Sequence, residues 1–282
     1  MVLRLVVSRR KPDGCDTLAH SGAKPALCSC DVASPRTPAE LLATASDPSR
    51  PFLTFYDDAT GERVELSYTT LDNWVAKTAN LLQDTLGTQS RERVALLLPT
   101  HWLGAVWTLA AWTAGLVVDL ADPTGAEVIV AAPERLTEAL GAGGRDTVAV
   151  SLAPLGRGFT EPLPPGVLDY GVEVLSHADV FTPYEPPDEA TPALITPQGD
   201  VLAGGALVEL ATRRADELGL QPGERLLTDA NPAATDGYLD ALLAPLARQA
   251  SVVLVRNLDP ATLERRVRQE KVTLTRLRSG QS

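Results

Sequence analysis

Cysteine disappears from this 282-residue chain after position 30; Cys15, Cys28 and Cys30 are the only three. The rest of the chain therefore holds no disulfide framework, no thiol nucleophile and no cysteine zinc site. That usage fits a reducing compartment, so a cytoplasmic location is expected. Aromatic residues make up 5% of the chain and there is one methionine, so Ala, Leu and Val must fill the core. Basic charge is scarce too: 25 Lys and Arg face 36 Asp and Glu, a net charge of -11. Such a surface repels phosphate backbones and anionic headgroups, so neither nucleic acid nor a membrane is expected as a partner. Long apolar runs are also missing. The opening MVLRLVV is broken by Arg4 and has no small-residue cleavage site after it. The uncharged stretch from Trp102 to Val118 is diluted by Gly104, Thr108, Thr113 and Gly115. It falls short of a span, and a buried helix stopped at Gly115 and followed by a buried strand accounts for it better.

What remains is a chain able to bury roughly 75% of its unfolded surface. Residues 1–35 scatter Lys, Arg, Cys, Ser and Pro without a hydrophobic period and read as a disordered extension. Cys28-Ser29-Cys30 lacks further ligands at metal-binding spacing, so no metal is expected there. Order is predicted to begin at Thr37-Pro38-Ala39-Glu40, a capping box with proline at the first helical position.

Phe52–Tyr56 and Val64–Tyr68 read as strands joined by a turn at Asp57, Asp58, Thr60 and Gly61. A helix follows from Thr69. Continuous apolar runs at Val94–Leu98, Leu116–Val118, Val128–Val130 and Val148–Val150 suit strands buried on both faces. Helices are predicted between them, at 102–114 and 133–140. Trp102, Trp107 and Trp112, spaced by five, point in three directions, as in a helix enclosed by layers.

A Pro- and Gly-rich connection spans 154–192. Beyond it come a strand at Ala193–Thr196, a helix at Gly205–Leu218, a strand at Arg225–Thr228 and a helix at Thr235–Ala247. The chain closes with a strand at Val252–Val255, a helix at Pro260–Glu270 and a strand at Val272–Leu274. Strands alternating with helices predict an α/β fold of layered, mostly parallel sheets covered by helices. The expected division is an extension at 1–35, a first α/β subdomain at 36–153, the connection at 154–192 and a second subdomain at 193–282.

Few side chains carry a chemical signal. Thr100-His101 follows the C-terminal end of a strand, where ligands favour open α/β sheets; Thr100 reads as a cap and His101 as a helix-entry residue. Asp119 and Asp122 read as turn residues rather than a paired acid and base. Ser176, His177 and Asp179 are too close in sequence to assemble a triad, and no Gly-x-Ser-x-Gly elbow exists. Gly141, Gly143 and Gly144 follow a helix and read as its stop. Gly204-Gly205 at a helix start reads as tight backbone packing, and Arg265-Arg266-Val267-Arg268 as a solvated helix face.

Six pieces in order resemble the N-terminal domain of AMP-dependent synthetases and ligases, the adenylate-forming superfamily that includes acyl-CoA synthetases. They are Leu66-Ser67-Tyr68-Thr69-Thr70-Leu71, Arg93–Pro99, Ala114–Val118, Leu220–Leu227, Leu243-Ala244-Pro245-Leu246 through Val255, and Asp259-Pro260 through Thr273. The resemblance covers about 37 to 275 and extends to short bacterial relatives of these ligases. It implies the superfamily's N-terminal α/β domain in truncated form. It also implies a Ser/Thr/Gly-rich phosphate loop ending Pro-Lys-Gly. In that slot stands Ala193-Leu194-Ile195-Thr196-Pro197-Gln198-Gly199-Asp200. Gln198 replaces the lysine, Asp200 adds negative charge and the preceding Ser/Thr/Gly run is absent. Whether Thr196, Gln198 and Gly199 keep nucleotide affinity is left open by the sequence. The superfamily's later adenine, ribose, Mg²⁺ and catalytic-lysine motifs have no matching positions.

No catalytic, cofactor or metal residue is therefore assigned, and no cofactor is expected. The expectation is a non-catalytic relative that binds a small acyl or nucleotide-like ligand or a protein partner. Two alternatives stand beside it: an acyl-adenylating half-enzyme completed by another chain, and a structural interaction protein.

Overall fold

The computed structural model describes residues 34–235 and 237–278. Residues 1–33, which carry most of the expected extension and the Cys28-Ser29-Cys30 pair, lie outside them.

The first helix, α1 (Pro38–Ala43), starts where the sequence places it: Thr37 Oγ1 accepts from Glu40 N–H at 3.3 Å. Glu40 accepts instead from Arg36 N–H at 2.6 Å, one residue short of a full capping box. Strands β1 (Pro51–Asp57) and β2 (Glu62–Ser67) form an antiparallel hairpin. Helix α2 (Tyr68–Asn80) follows directly, capped by Ser67 through Thr70 N–H, and runs into a π-helical turn at Leu81–Thr85. Next come β3 (Arg93–Leu97), α3 (Trp102–Thr113), β4 (Val117–Asp119), β5 (Val128–Ala131) and α4 (Leu136–Ala142). Strands β6 (Asp146–Ala149) and β7 (Val167–Asp169) lead to the short α5 (Tyr170–Glu173). A second hairpin, β8 (Pro192–Ile195) and β9 (Val201–Ala203), precedes α6 (Gly204–Leu218) and β10 (Arg225–Thr228). The chain finishes with α7 (Ala244–Ala247), β11 (Ser251–Arg256), α8 (Pro260–Gln269) and β12 (Leu274–Arg276).

These strands build two sheets. One has seven strands in the order β7-β6-β5-β3-β4-β8-β9; the other has five in the order β12-β10-β11-β1-β2. Neighbours pair in parallel except within the two hairpins. The mostly parallel α/β layering expected from the apolar runs is the observed fold. Both sheets mix strands from either side of the 154–192 connection. β1 pairs with β11, and β4 pairs with β8. The subdomain division drawn at that connection therefore does not coincide with the sheets.

Helix α3 shows why low amphipathicity marks an enclosed element. Every residue from Trp102 to Trp112 is buried, including all three tryptophans. Burying aliphatic side chains such as Leu103, Val106 and Leu109 contributes about 1.5–3 kcal/mol each, and α3 belongs to the main core. Its end is a Schellman turn. Leu116 N–H reaches Ala111 O at 2.8 Å and Gly115 N–H reaches Trp112 O at 3.1 Å. Gly115 holds φ 75°, which a side chain would resist. Gly143 closes α4 in the left-handed conformation, as expected of a helix stop. Among the described residues, no helix is long and apolar enough to cross a membrane.

Three expectations need correction. The helix expected over Thr235–Ala247 is interrupted by a π-helical turn at Leu239–Leu243 before α7. Pro245 has no N–H to close an α-turn there. The last strand begins at Leu274 rather than Val272, because Val272 N–H bonds back to Val267 O at 3.0 Å and ends α8. Lys271 takes the left-handed position with φ 53°, so no glycine announces that stop. Finally, the Arg265–Arg268 run is not uniformly solvated. Arg266 is buried, pairs with the Asp58 carboxylate and lies 4.3 Å from the centroid of the Tyr56 ring.

Candidate functional site

Parallel strands bring their C-terminal ends to one edge. In the seven-stranded sheet, chain order reverses around β3: α3 carries the chain to β4 on one side, and the next connection returns it to β5 on the other. Such a switch point opens a crevice where α/β proteins bind ligands. A cleft of about 300 Å3 occupies it. Residues 95–97 of β3, Asp119–Pro123 after β4, Arg135 and Glu138 by α4, and Ala233–Thr235 line it. Leu120 N–H donates to Ile195 O at 3.0 Å, so the end of β8 adjoins the loop after β4.

The charged groups of this cleft are committed to local structure. Asp119 is buried, and its Oδ1 accepts from Ala121 N–H at 2.9 Å and Asp122 N–H at 3.3 Å. Arg93 approaches the other oxygen at 3.4 Å. Its guanidinium lies where Gly125 has no side chain; a Cβ there would come within 2.4 Å. Asp122 Oδ1 accepts from Thr124 N–H at 2.9 Å, and that bond holds its carboxyl below the usual range. Both aspartates are turn residues, as their sequence context indicates. Arg135 forks onto the Glu138 carboxylate. Asp119, Asp122 and Glu138 thus outnumber Arg135 along the lining.

The segment Thr196–Asp200, expected from the resemblance to stand in the phosphate-loop position, adjoins this cleft as a closed hairpin turn. Thr196 N–H donates to Asp200 O at 2.9 Å and Gly199 N–H to Thr196 O at 2.8 Å. Asp200 N–H donates to Thr196 Oγ1 at 3.1 Å. Gly199 supplies the φ of 87° that the turn requires. Three backbone donors are consumed internally, and residues 197–200 point to solvent.

His101 differs from its expected role. It, not Thr100, caps α3: Leu103 N–H donates to its Nδ1 at 3.2 Å. Thr100 Oγ1 instead donates to Asp229 O at 3.3 Å. The His101 ring is buried against Phe55, with centroids 4.6 Å apart. Its Nε2 has no hydrogen-bond partner and lies 3.9 Å from Glu62 Oε2, too far for a bond. Burial lowers the ring's pKa more than the nearby Glu62 and Asp57 raise it. The ring is therefore neutral at pH 7 and forms no ion pair. Glu62, at the start of β2, was not signalled by any motif.

The remaining candidates scatter. Ser176 donates to Glu173 O, and His177 Nε2 lies 3.1 Å from Thr85 Oγ1. Asp179 pairs with Lys77, so the three do not assemble. Gly204 and Gly205 give their N–H groups to Thr191 O and Glu189 O, both at 2.9 Å. A Cβ on Gly205 would sit 3.1 Å from Glu189 O, which is the close backbone packing expected.

Residues 42–151 match the family of AMP-binding enzymes. A TIGR03089 family protein of Mycobacterium tuberculosis is 42% identical over 236 residues, covering 81% of this chain and 92% of that protein. Among solved structures, an acyl-CoA synthetase from Brucella canis superposes with a TM-score of 0.71 at 18% identity, covering 86% of this chain and 47% of its own. An anthranilate CoA ligase in complex with anthranoyl-AMP gives 0.69 at 16% identity, covering 85% and 49%. The acetoacetyl-CoA synthetase of Streptomyces lividans gives 0.70 at 19% identity, covering 86% and 42%. The fold is that of adenylate-forming enzyme domains, and the chain spans about half the length of these solved structures or less.

Proposed function

The chain belongs to the TIGR03089 family and is a relative of AMP-binding enzymes, and from that premise we propose that it binds without adenylating. The observation that carries this reading is the closed turn at Thr196–Asp200. Adenylation crowds negative charge at an α-phosphate, which must be met by free N–H donors and a cation. Here the N–H groups of Thr196, Gly199 and Asp200 are used within the turn, and Gln198 offers no charge. Asp200 and the carboxylates of the adjoining cleft add repulsion toward a nucleotide. What is retained is a rigid α/β frame with a crevice at its switch point, suited to holding a small ligand or docking a protein.

The test is ATP–pyrophosphate exchange with a panel of aliphatic and aromatic carboxylic acids. No exchange above the protein-free rate is expected, and acid-dependent exchange would sink the reading. A second reading is an acyl-adenylating half completed by another chain. It draws on the match to only 47% of the Brucella acyl-CoA synthetase. Copurification of a ligase-like chain that restores exchange would replace the first reading with the second.

A further inference from the structure

A second cleft, of about 620 Å3, lies away from the switch point, at the C-terminal ends of β10 and β12. Thr228 ends β10 and pairs in register with Arg276, which ends β12. Arg214 and Glu217 of α6, and Leu239 and Asp240 of the π-helical turn, form the opposite wall. Arg278 completes the rim.

Charge in this cleft is not balanced. Arg214 is neutralised: its Nε reaches Asp240 Oδ1 at 2.6 Å, its Nη2 reaches Oδ2 at 3.1 Å, and its Nη1 reaches Glu217 at 2.9 Å. Both lining carboxylates are thereby engaged. Arg278 is anchored at its side chain by a backbone carbonyl and at its backbone by the Asp229 carboxylate. Its Nη2 donates to Thr235 O at 2.8 Å, and its backbone N–H donates to Asp229 Oδ1 at 2.9 Å. The guanidinium forms no ion pair among the described residues. The Arg276 guanidinium has no hydrogen bond or ion pair among them. Three guanidiniums (Arg214, Arg276, Arg278) and two carboxylates (Glu217, Asp240) thus give this lining a net charge of +1 in a chain whose net charge is -11, and Arg276 and Arg278 are both exposed. That polarity is local and opposite to the molecule's average, and a concave wall concentrates its field. Guanidinium forks match the oxygens of phosphate and carboxylate groups. The volume suits a small molecule, while the apolar lining is limited to Ala230, Leu239 and Leu277. An acyl chain would find little surface there.

We propose that this cleft binds a small polyanion through Arg276 and Arg278, using phosphate or carboxylate oxygens. The site is separate from the Thr196–Asp200 turn. An adenylating chain would present it equally, so this inference does not rest on the function proposed above.

Calorimetric titration of the full chain with inorganic pyrophosphate and, separately, with citrate tests it. Saturable one-to-one binding of at least one probe is expected, and which probe binds separates phosphate from carboxylate recognition. Arg276→Gln and Arg278→Gln should each weaken that binding about tenfold, the loss of one charge-assisted contact of roughly 1.4 kcal/mol. Arg265→Gln, an exposed arginine on α8 outside the cleft, should leave it unchanged. Arg276 is exposed and its guanidinium is without a hydrogen bond among the described residues, so Arg276→Gln is expected to keep the wild-type melting temperature. Absence of saturable binding by either probe overturns the proposal. So does an equal loss in Arg265→Gln, which would mark a diffuse charge effect.

Discussion

His101 carries the clearest pH signature among the single residues. Its ring is buried, its pKa is lowered from 6.5 chiefly by desolvation, and its Nε2 has no partner. Glu62 on β2, Asp57 on β1 and Arg256 on β11 are the charged groups that face it. A ring whose folded pKa lies below its unfolded value takes up protons more readily when unfolded. Its contribution to stability is therefore present above pH 6.5 and is lost as pH falls toward the folded value. His101→Asn keeps a side-chain acceptor for Leu103 N–H and removes the titrating group. The drop in urea midpoint between pH 7.5 and pH 5.5 should be smaller in this variant than in the wild type. Equal drops would place the acid sensitivity elsewhere. Asp58 acts in a separate, lower window. Burial raises its pKa, but the Arg266 hydrogen bonds and the Asp259 N–H outweigh that and bring it below 3.8. Stability from that pair is lost only as pH falls through the carboxylate range.

At the level of the element, the β8–β9 hairpin decides what the Thr196–Asp200 turn can do. Restoring a cation by Gln198→Lys leaves the three turn N–H groups engaged with Asp200 O, Thr196 O and Thr196 Oγ1. ATP with Mg²⁺ should then give no rise in melting temperature for either the wild type or this variant. A ligand present at 100 times its Kd would stabilise the fold by about 2.7 kcal/mol, a readily measured shift. A rise confined to Gln198→Lys would show that the turn opens and that charge alone was missing. The π-helical turn at Leu239–Leu243 has a comparable local importance. It places Asp240 against Arg214, while Arg276 and Arg278 in the same cleft form no ion pair among the described residues.

For the molecule as a whole, the sheets join early and late segments of the described chain. β1 lies between β2 and β11, and residues Leu53–Asp57 register with Val252–Arg256. A fragment ending at 153 would keep the β1–β2 hairpin but lose β11, and a lone two-stranded hairpin is marginal in water. It would also expose the β4 edge that β8 covers. Fragment 36–153 expressed alone should show no cooperative thermal transition, whereas coexpression with 154–282 should recover a complex that melts cooperatively. A cooperatively folding 36–153 monomer would contradict this dependence.

Much of the architecture was legible locally, for physical reasons. Apolar runs such as Val94–Leu98 and Val252–Val255 have no polar face, so only strands buried on both sides accommodate them. The even apolarity of Trp102–Trp112 demanded an enclosed helix, and Gly115 and Gly143 marked stops that need a left-handed residue. The six ordered pieces and the altered Pro197-Gln198-Gly199 signalled kinship with adenylate-forming enzymes. Long-range arrangement was not legible, because pairing partners are chosen by packing across many intervening residues. Nothing near Arg266 announces Asp58, 208 residues away. Nothing near His101 announces Glu62 either, and no motif places Arg276 opposite Arg214. The sequence by itself determined most of the element types and the enclosed helix. Only the tertiary structure decided which carboxylates neutralise which arginines, because that depends on distances set by both sheets at once.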